Sequence, residues 1–234
     1  MCALTGSGIS AESGLPTFRG ANGLWRTHRV TELASPEGFA RDPELVWSWY
    51  NERRAAHQLV EPNAGHRALA RLELFYADFT IATQNVDSLH LRAGSQAVLE
   101  LHGSLREARC NRCGSRRPFD GPLKRDDIEH PCNRALPGRF RPDIVWFGES
   151  LPQATWAQAA NAAARADVLL VVGTSGMVNP AAALATHLPR ADAYIVEVNV
   201  ESTVITPYTD AHLIGPAASV LPELVETVSC LRRS

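Results

Sequence analysis

Residues 4–20 read LTGSGISAESGLPTFRG, and the way this stretch continues decides the fold. Cys2, Ala3 and Leu4 lead into Gly6-Ser7-Gly8. A short strand that breaks into Gly-x-Gly exposes successive backbone N–H groups at a helix start, a turn that favours phosphate. Ala11 even supplies the third small position of a dinucleotide fingerprint. The spacing alone also describes an ordinary tight turn. The residues after the loop narrow the choice. An ordinary dinucleotide-binding unit needs a crossover helix of about three turns here. Pro16, Gly20 and Gly23 deny it, and Gly20–Trp25 (GANGLW) is too rich in glycine to be helical. The loop is therefore expected to run into a long flexible segment, which lowers the case for a plain dehydrogenase.

The rest of the composition bounds the class. The chain has 234 residues, 45% hydrophobic and 21% charged, with a net charge of −2. These values suit one or two globular domains with no overall field to attract nucleic acid or an anionic membrane. No apolar run reaches the ~18 residues of a spanning helix. No basic, apolar and small-residue leader opens the chain, so the expected compartment is the cytoplasm. Five cysteines, two of them in Cys110-x-x-Cys113, argue against a disulfide framework and for metal or reduced thiols. Arginine is abundant and Lys124 is the only lysine. The arginines are scattered among acidic residues, which is not a nucleic-acid patch.

Along the chain, Asp42-Pro43 is a helix start that carries PELVWSWYNERRAAHQL to just before Pro62. Asn63 caps a second helix from Ala64 to about Phe75. Strands are expected at 78–83 (DFTIAT), 98–101, 143–147 (DIVWF), 167–172 (DVLLVV) and 193–198 (AYIVEV), and helices at 155–166, 180–188 and 217–230. Apolar strands alternating with helices predict an α/β fold, a Rossmann-like parallel sheet covered on both faces. Ligands bind at the carboxyl ends of such strands. The residues there are Gly6-Ser7-Gly8, Gln84-Asn85-Asp87, His102, Gly173-Thr174-Ser175 and Asn199. Residues 26–60 (helical) and 104–142 (cysteine-bearing) interrupt the pattern and predict a smaller domain, a helical module plus a zinc-ribbon-like module. The Rossmann-like domain then takes 1–25, 61–103 and 143–234.

Taken together, these motifs resemble the sirtuins, NAD-dependent protein lysine deacylases. Gly6-Ser7-Gly8-Ile9-Ser10 through Phe18-Arg19 resembles the family's GAGxSxxSGIPxFR motif, with Ser7 where alanine is usual. Gln84-Asn85-Val86-Asp87 resembles QNxD, and Leu101-His102-Gly103 the HG motif. Gly173-Thr174-Ser175 and Val198-Asn199 resemble the later nucleotide-binding motifs.

The resemblance implies roles for these positions. NAD is expected as a co-substrate, its phosphates on the Gly6–Ser10 backbone. Gly173, Thr174, Ser175, Asn199 and Glu201 would line the adenosine side, with Ala217 near the adenine. Ser10, Asn85 and Asp87 would surround the nicotinamide and its ribose. Glu12, Pro16, Thr17, Phe18, Arg19, Trp25 and Gln84 complete the expected cofactor-binding set. The expected catalytic residues are His102, Asn85 and Asp87. The acyl-lysine oxygen attacks the ribose carbon and nicotinamide leaves. His102 then acts as general base on a ribose hydroxyl, a task suited to imidazole. The products are nicotinamide, O-acyl-ADP-ribose and free lysine. The acylated peptide would pair between residues 145–149 and the loop at 176–178, by strand addition, with Val145, Phe147, Gly148, Glu149 and Val178 in contact.

Tyr50 and Arg53 stand at i, i+3 on one helix face. The resemblance here is to the class III, desuccinylase-like sirtuins of bacterial type. A guanidinium forks onto a carboxylate and the phenol adds a donor. Succinyl, malonyl and glutaryl groups are the expected substrates, with acetyl kept on the list. The pair also fits an ordinary exposed ion pair with Glu52 or Glu61 beside a core tyrosine.

Sirtuins usually hold a structural zinc with four cysteines. Cys110, Cys113 and Cys132 supply three, and Leu136 sits about where the fourth is expected. A closed site wants four ligands. His130, a carboxylate such as Asp127, or water would complete it; otherwise the chain keeps three reduced thiols. Expected partners are acylated lysine peptides or proteins, with no nucleic acid and no membrane, the chain being a monomer or weak oligomer. The alternatives are a mono-ADP-ribosyltransferase and a silent NAD-binding sensor. His57, His66, His90, His187 and His212 read as solvated or core histidines, and Trp25, Trp47, Trp49 and Trp156 as packing.

Overall fold

The computed structural model describes residues 1–17, 33–119, 121–122, 125–132 and 135–232. Its strands are, in chain order, β1 (Cys2–Thr5), β2 (Thr80–Thr83), β3 (Val98–Glu100), β4 (Gly103–Cys110), β5 (Arg116–Pro118), β6 (Glu129–His130), β7 (Gly138–Ile144), β8 (Val168–Val172), β9 (Tyr194–Asn199) and β10 (Ala211–Ile214). Its helices are α1 (Pro36–Arg41), α2 (Pro43–Leu59), α3 (Ala64–Glu73), α4 (Leu89–Arg92), α5 (Arg125–Ile128), α6 (Gln153–Arg165), α7 (Ala183–Thr186) and α8 (Ala217–Leu231). The expected flexible segment after the glycine loop falls outside the described residues.

Six strands form a parallel sheet in the order β10-β9-β8-β1-β2-β3. The chain lays β2 and β3 on one side of β1 and later β8 to β10 on the other. The order therefore reverses at β1/β8, and the loops leaving those two strands diverge into a crevice. Alternate residues feed the two faces. Ala3, Ile81, Leu170 and Val198 pack under α3 and α8 with Leu69, Leu72, Leu221 and Val225. Cys2, Leu4, Leu169 and Val171 pack on the other side with Ala159 and Ala163 of α6. This covering of both faces is why the strands read as unbroken apolar runs.

The Asp42 carboxylate accepts the Leu45 N–H at 2.9 Å and starts α2, which leaves off at Leu59. Asn63 caps α3 as expected. The segment 104–142, expected as a zinc-ribbon-like module, holds most of a four-stranded antiparallel sheet, β5-β4-β7-β6. A register shift between Ser104 and Ala108 breaks the alternation of β4, so no clean period-2 pattern reaches the sequence. Residues 143–147, expected as a strand of the parallel sheet, instead close this second sheet. Asp143 and Ile144 end β7, and Val145-Trp146-Phe147 leave it as a loop. The helix expected at 180–188 is a single turn, Ala183–Thr186, and β10 adds a strand that the pattern does not announce. A third core lies between α1, α2 and the antiparallel sheet, built on Phe39, Trp47, Tyr50, Phe119, Phe140 and Trp146. Among the described residues no helix is long and apolar enough to cross a membrane.

Candidate active site

The crevice predicted by the strand order is a cavity of about 530 Å³. Its sheet side is made by three glycines that touch one another. The Gly6 N–H donates to Val172 O at 3.0 Å and the Gly8 N–H to Gly173 O at 2.8 Å. A Cβ on Gly8 would lie 2.7 Å from Gly173, and one on Gly173 (φ +58°) 2.4 Å from the Ile9 nitrogen. These glycines serve the close approach of the two loops as much as any phosphate, because the N–H groups of Gly6 and Gly8 are already used. Ser7, Gly8 and Thr17 from the first loop and Gly173, Thr174 and Ser175 from the second line the cavity.

His102 follows β3 and faces the same space. Its Nδ1 lies 2.9 Å from Gln84 O. A carbonyl only accepts, so the ring proton sits on Nδ1 and Nε2 keeps its lone pair. Burial holds this imidazole below its ordinary pKa, opposed by the bond to Gln84. Gln84 in turn donates to Thr174 Oγ1 at 2.9 Å, and Asn199 donates to Thr174 O at 3.0 Å. Asn85 donates through Nδ2 to Gly6 O and Ser10 Oγ, both at 3.1 Å. Ser10 donates to Asp87 Oδ2 at 2.7 Å, and Asp87 Oδ1 takes the Leu89 N–H at 2.9 Å. Burial raises the Asp87 carboxyl, and these two bonds oppose the rise.

The other end of the cavity belongs to α2. Tyr50 is buried, and its hydroxyl accepts from Trp146 Nε1 at 2.8 Å. Burial pushes this phenol up to about 12. The Arg53 guanidinium stands 4.6 Å over the Trp49 ring, and burial lowers its pKa. Arg53 forms no hydrogen bond or ion pair with the described residues, so the expected alternative of a surface pair with Glu52 or Glu61 is not found. The loop opposite is held from behind. Glu149 accepts from buried Arg141 at 2.5 and 3.0 Å and from the Trp146 N–H at 2.9 Å.

The structure brings together Gly6, Ser7, Gly8, Thr17, Gln84, Asn85, His102, Gly173, Thr174, Ser175, Asn199 and Glu201 with Tyr50, Arg53, Val145, Phe147, Gly148, Glu149 and Val178 on one cavity wall. Other expected residues stand behind that wall. Ile9 is core, and Ser10 and Asp87 back Asn85. Glu12 accepts the Ala218 N–H at the start of α8, and Ala217 is buried against α3. Pro16 is exposed and lies off the wall, while Phe18, Arg19 and Trp25 fall outside the described residues. Sequence reasoning misses Val200 and Thr203, although both follow a strand end; Trp49, read as packing, does pack on the third core and also lines the cavity. The spacing Trp49 to Arg53, i to i+4, carries that signal.

Away from the cavity, the Cys110, Cys113 and Cys132 sulfurs lie within 4.8 Å of one another. They fit a zinc-type donor set. They also crowd Gly138, where a Cβ would come 2.3 Å from Cys110 Sγ and 3.1 Å from Cys132 Sγ. Among the described residues no fourth ligand joins them. His130 does not: its ring packs on Phe140 at 4.6 Å. Asp127 is not in the cluster either, and Leu136 is exposed.

Comparison with known proteins agrees with this arrangement. The Sir2 family model matches residues 6–180. A protein of Pyrobaculum aerophilum named NAD-dependent protein deacylase 2 is 52% identical over 224 residues, covering 96% of this chain and 89% of the relative. The solved structure of a Sir2 homologue–NAD complex is 44% identical, with a TM-score of 0.88 over 98% of this chain and 89% of that one. Sir2Af2 bound to a myristoylated histone peptide is 36% identical, with a TM-score of 0.76 over 99% of this chain and 92% of that one.

Proposed function

The chain belongs to the Sir2 family, and from that premise we propose that it is an NAD-dependent protein lysine deacylase whose acyl pocket takes acyl groups ending in a carboxylate. The deacylase part is carried by His102, whose locked Nδ1 leaves Nε2 as the only ring atom able to take a proton on the cavity wall. NAD, when bound, supplies the ribose carbon that receives the acyl group and the nicotinamide that leaves. The chain's residues do the rest. The facing loops after β1 and β8 hold the dinucleotide. Asn85 offers its amide oxygen, since both Nδ2 hydrogens are spent on Gly6 and Ser10. His102 removes a proton from a ribose hydroxyl. The peptide backbone would lie along residues 145–148; the N–H groups of Val145, Trp146 and Phe147 are bonded to His102, Glu149 and Ala34, which leaves the carbonyls and the Gly148 N–H to meet it. No feature of the site favours the ADP-ribosyltransferase or silent-sensor alternatives.

The acyl preference rests on Arg53. Arg53 is half-buried and has no counter-charge among the described residues, and a bound carboxylate would supply one. The Tyr50 hydroxyl still has its proton to donate. An acetyl methyl would leave Arg53 unmatched, and discrimination by an unmet polar partner is strong. The relative bound to a myristoylated peptide makes long acyl chains the natural counter-test. The experiment compares NAD-dependent removal of succinyl, malonyl, glutaryl, acetyl and myristoyl groups from one lysine peptide, with wild type and Arg53→Met. The acidic acyl groups should be removed fastest, and Arg53→Met should lose that advantage while keeping deacetylation. Equal desuccinylation by the variant would sink the preference, and no NAD-dependent deacylation at all would sink the whole reading.

A further inference from the structure

Two residues outside the cavity, Asn63 and His66 at the start of α3, are bonded to the segment that carries part of the cavity's polar wall. Asn63 uses every polar position it has. Its Oδ1 caps the helix, accepting from Gly65 N at 2.9 Å and His66 N at 3.4 Å. Its Nδ2 reaches across to the 3-10 helix Ser7–Ser13, donating to Ile9 O at 2.7 Å and Ser13 Oγ at 3.1 Å. Its own backbone N–H donates to His66 Nδ1 at 3.3 Å.

That last bond fixes the tautomer of His66. The side chain is fully buried, and burial holds its pKa at about 4, so the ring is neutral near pH 7. With Nδ1 accepting, the single ring proton sits on Nε2. Nε2 lies 3.4 Å from Ser10 Oγ. Ser10 Oγ thus receives one proton from His66 and a second from Asn85 Nδ2. Its own hydroxyl hydrogen has one place left to go, Asp87 Oδ2. The ring nitrogen at one end and the accepting Asp87 oxygen at the other agree on the direction of this chain, and Gly6 O, which can only accept, holds the Asn85 amide in the same sense. If Ser10 turned its hydrogen toward Asn85, that amide could no longer donate to it.

We propose that Asn63 and His66 are positioning residues for the nicotinamide-ribose side of the site. Asn63 clamps the first nucleotide loop to α3. His66 holds the Ser10 hydroxyl in place from behind, and so supports the bonds that Ser10 makes to Asn85 and to Asp87, the Asn85 amide being anchored also on Gly6 O. The kinetic consequences rest on the deacylase reading; the effect on NAD binding does not.

The test separates the two ring nitrogens. An amide at the end of Gln places a donor near the position of Nε2, whereas Asn places its polar atoms near Nδ1 and cannot reach Ser10. His66→Asn should keep a melting temperature within about 4 °C of wild type, the shift of roughly 1 kcal/mol in a chain of this size. It should lose at least about tenfold in kcat/KM for NAD, a loss in keeping with a small misplacement of a reacting geometry. The KM for the acylated peptide should not change. His66→Gln should recover most of the loss. NAD affinity is measured in parallel by calorimetry without peptide, and it should weaken in His66→Asn and recover in His66→Gln. If His66→Asn binds and uses NAD as wild type does, or if Gln and Asn lose alike, the proposal is overturned. Asn63→Asp, which retains the helix cap but removes both Nδ2 donors, is the second arm. It should weaken NAD binding severalfold at unchanged melting temperature, and unchanged affinity would overturn the clamp. A wild type that binds NAD but deacylates no peptide would remove the deacylase reading and leave the binding arm standing.

Discussion

The Nδ1 of His102 lies 2.9 Å from the carbonyl oxygen of Gln84, and that carbonyl belongs to the strand-end segment that also carries Asn85. The proposed base and the residue proposed to flank the cofactor are thus tied through one backbone segment. His102→Asn should leave folding and NAD binding intact and lower kcat by ~10²–10⁴-fold, the usual worth of a positioned general base. Because burial lowers the His102 pKa, its base form persists to more acid pH than free imidazole. The acid limb of kcat/KM should therefore have its midpoint below 6.5, the ordinary histidine value. A midpoint at or above it, or retained activity in the variant, would contradict the assignment.

Gly173 and Gly148 both have left-handed backbones, at φ +58° and +83°, yet their surroundings differ. Nothing lies within 4 Å of a Cβ on Gly148, whereas one on Gly173 meets the Ile9 nitrogen and Gly8. Gly148→Ala should cost only the conformational strain of about 1–2 kcal/mol. Gly173→Ala should cost clearly more and also weaken NAD binding, because it pushes the two nucleotide loops apart. Melting temperatures of the two variants decide this, and equal shifts would refute it.

That contrast bears on how much of the molecule is legible in its sequence. The parallel sheet is readable because β8 is a plain apolar run, buried almost throughout, and β2 and β9 are largely buried segments built mostly of apolar and β-branched residues. The strand-end residues are readable for the same reason: each comes directly after such a run. The second sheet is less so, since its outer strands β5 and β6 are only three and two residues long and β4 is bulged between Ser104 and Ala108. The glycine positions are legible too, but the N–H groups expected to cradle phosphate are partly spent on the neighbouring loop. His66 looks like an ordinary core histidine, because nothing in its spacing reveals that Ser10, 56 positions earlier, lies against its ring.

Among the described residues the three thiols offer a set one ligand short of a closed tetrahedron. Zinc held by three thiolates and an exchangeable fourth group should be released to a chelator faster than from a four-cysteine site. Leu136→Cys, at the exposed position where the fourth cysteine is expected, should bind zinc more tightly and raise the melting temperature in its presence. Chromogenic chelator competition on the two proteins measures this. A wild type that purifies without zinc and takes none up would remove the site.

Arg141 is 4% exposed and shares Glu149 with Arg109. Removing one partner of a buried pair leaves an uncompensated charge, at about 3–5 kcal/mol. Glu149→Leu should approach that loss and raise the peptide KM, because the 145–149 loop loses its anchor on the Trp146 N–H. The double variant Arg141→Met/Glu149→Leu should regain much of the stability but not the KM. Denaturant titration beside peptide kinetics separates the two effects.

His66 and His90 stack edge to face at 4.9 Å behind the catalytic wall, with Thr5 bonded to His90 at 2.9 Å. Burial holds the first at about 4 and the second at about 3, against 6.5 for a free imidazole. Between these values and 6.5 the unfolded chain binds the protons that the folded chain refuses, so stability is fully present above pH 6.5 and falls as pH drops below it. Each group contributes a slope of about 1.4 kcal/mol per pH unit within its window. Asp87, whose pKa is raised, acts in the opposite sense, so the net slope of wild type mixes the two. The difference between wild type and His66→Gln isolates the imidazole. Unfolding free energies measured from pH 7 to pH 4.5 should fall less steeply in His66→Gln, by about 1.4 kcal/mol per unit. Parallel curves would mean that His66 is solvated or protonated in the folded protein, and the tautomer assigned to it would fall with that result.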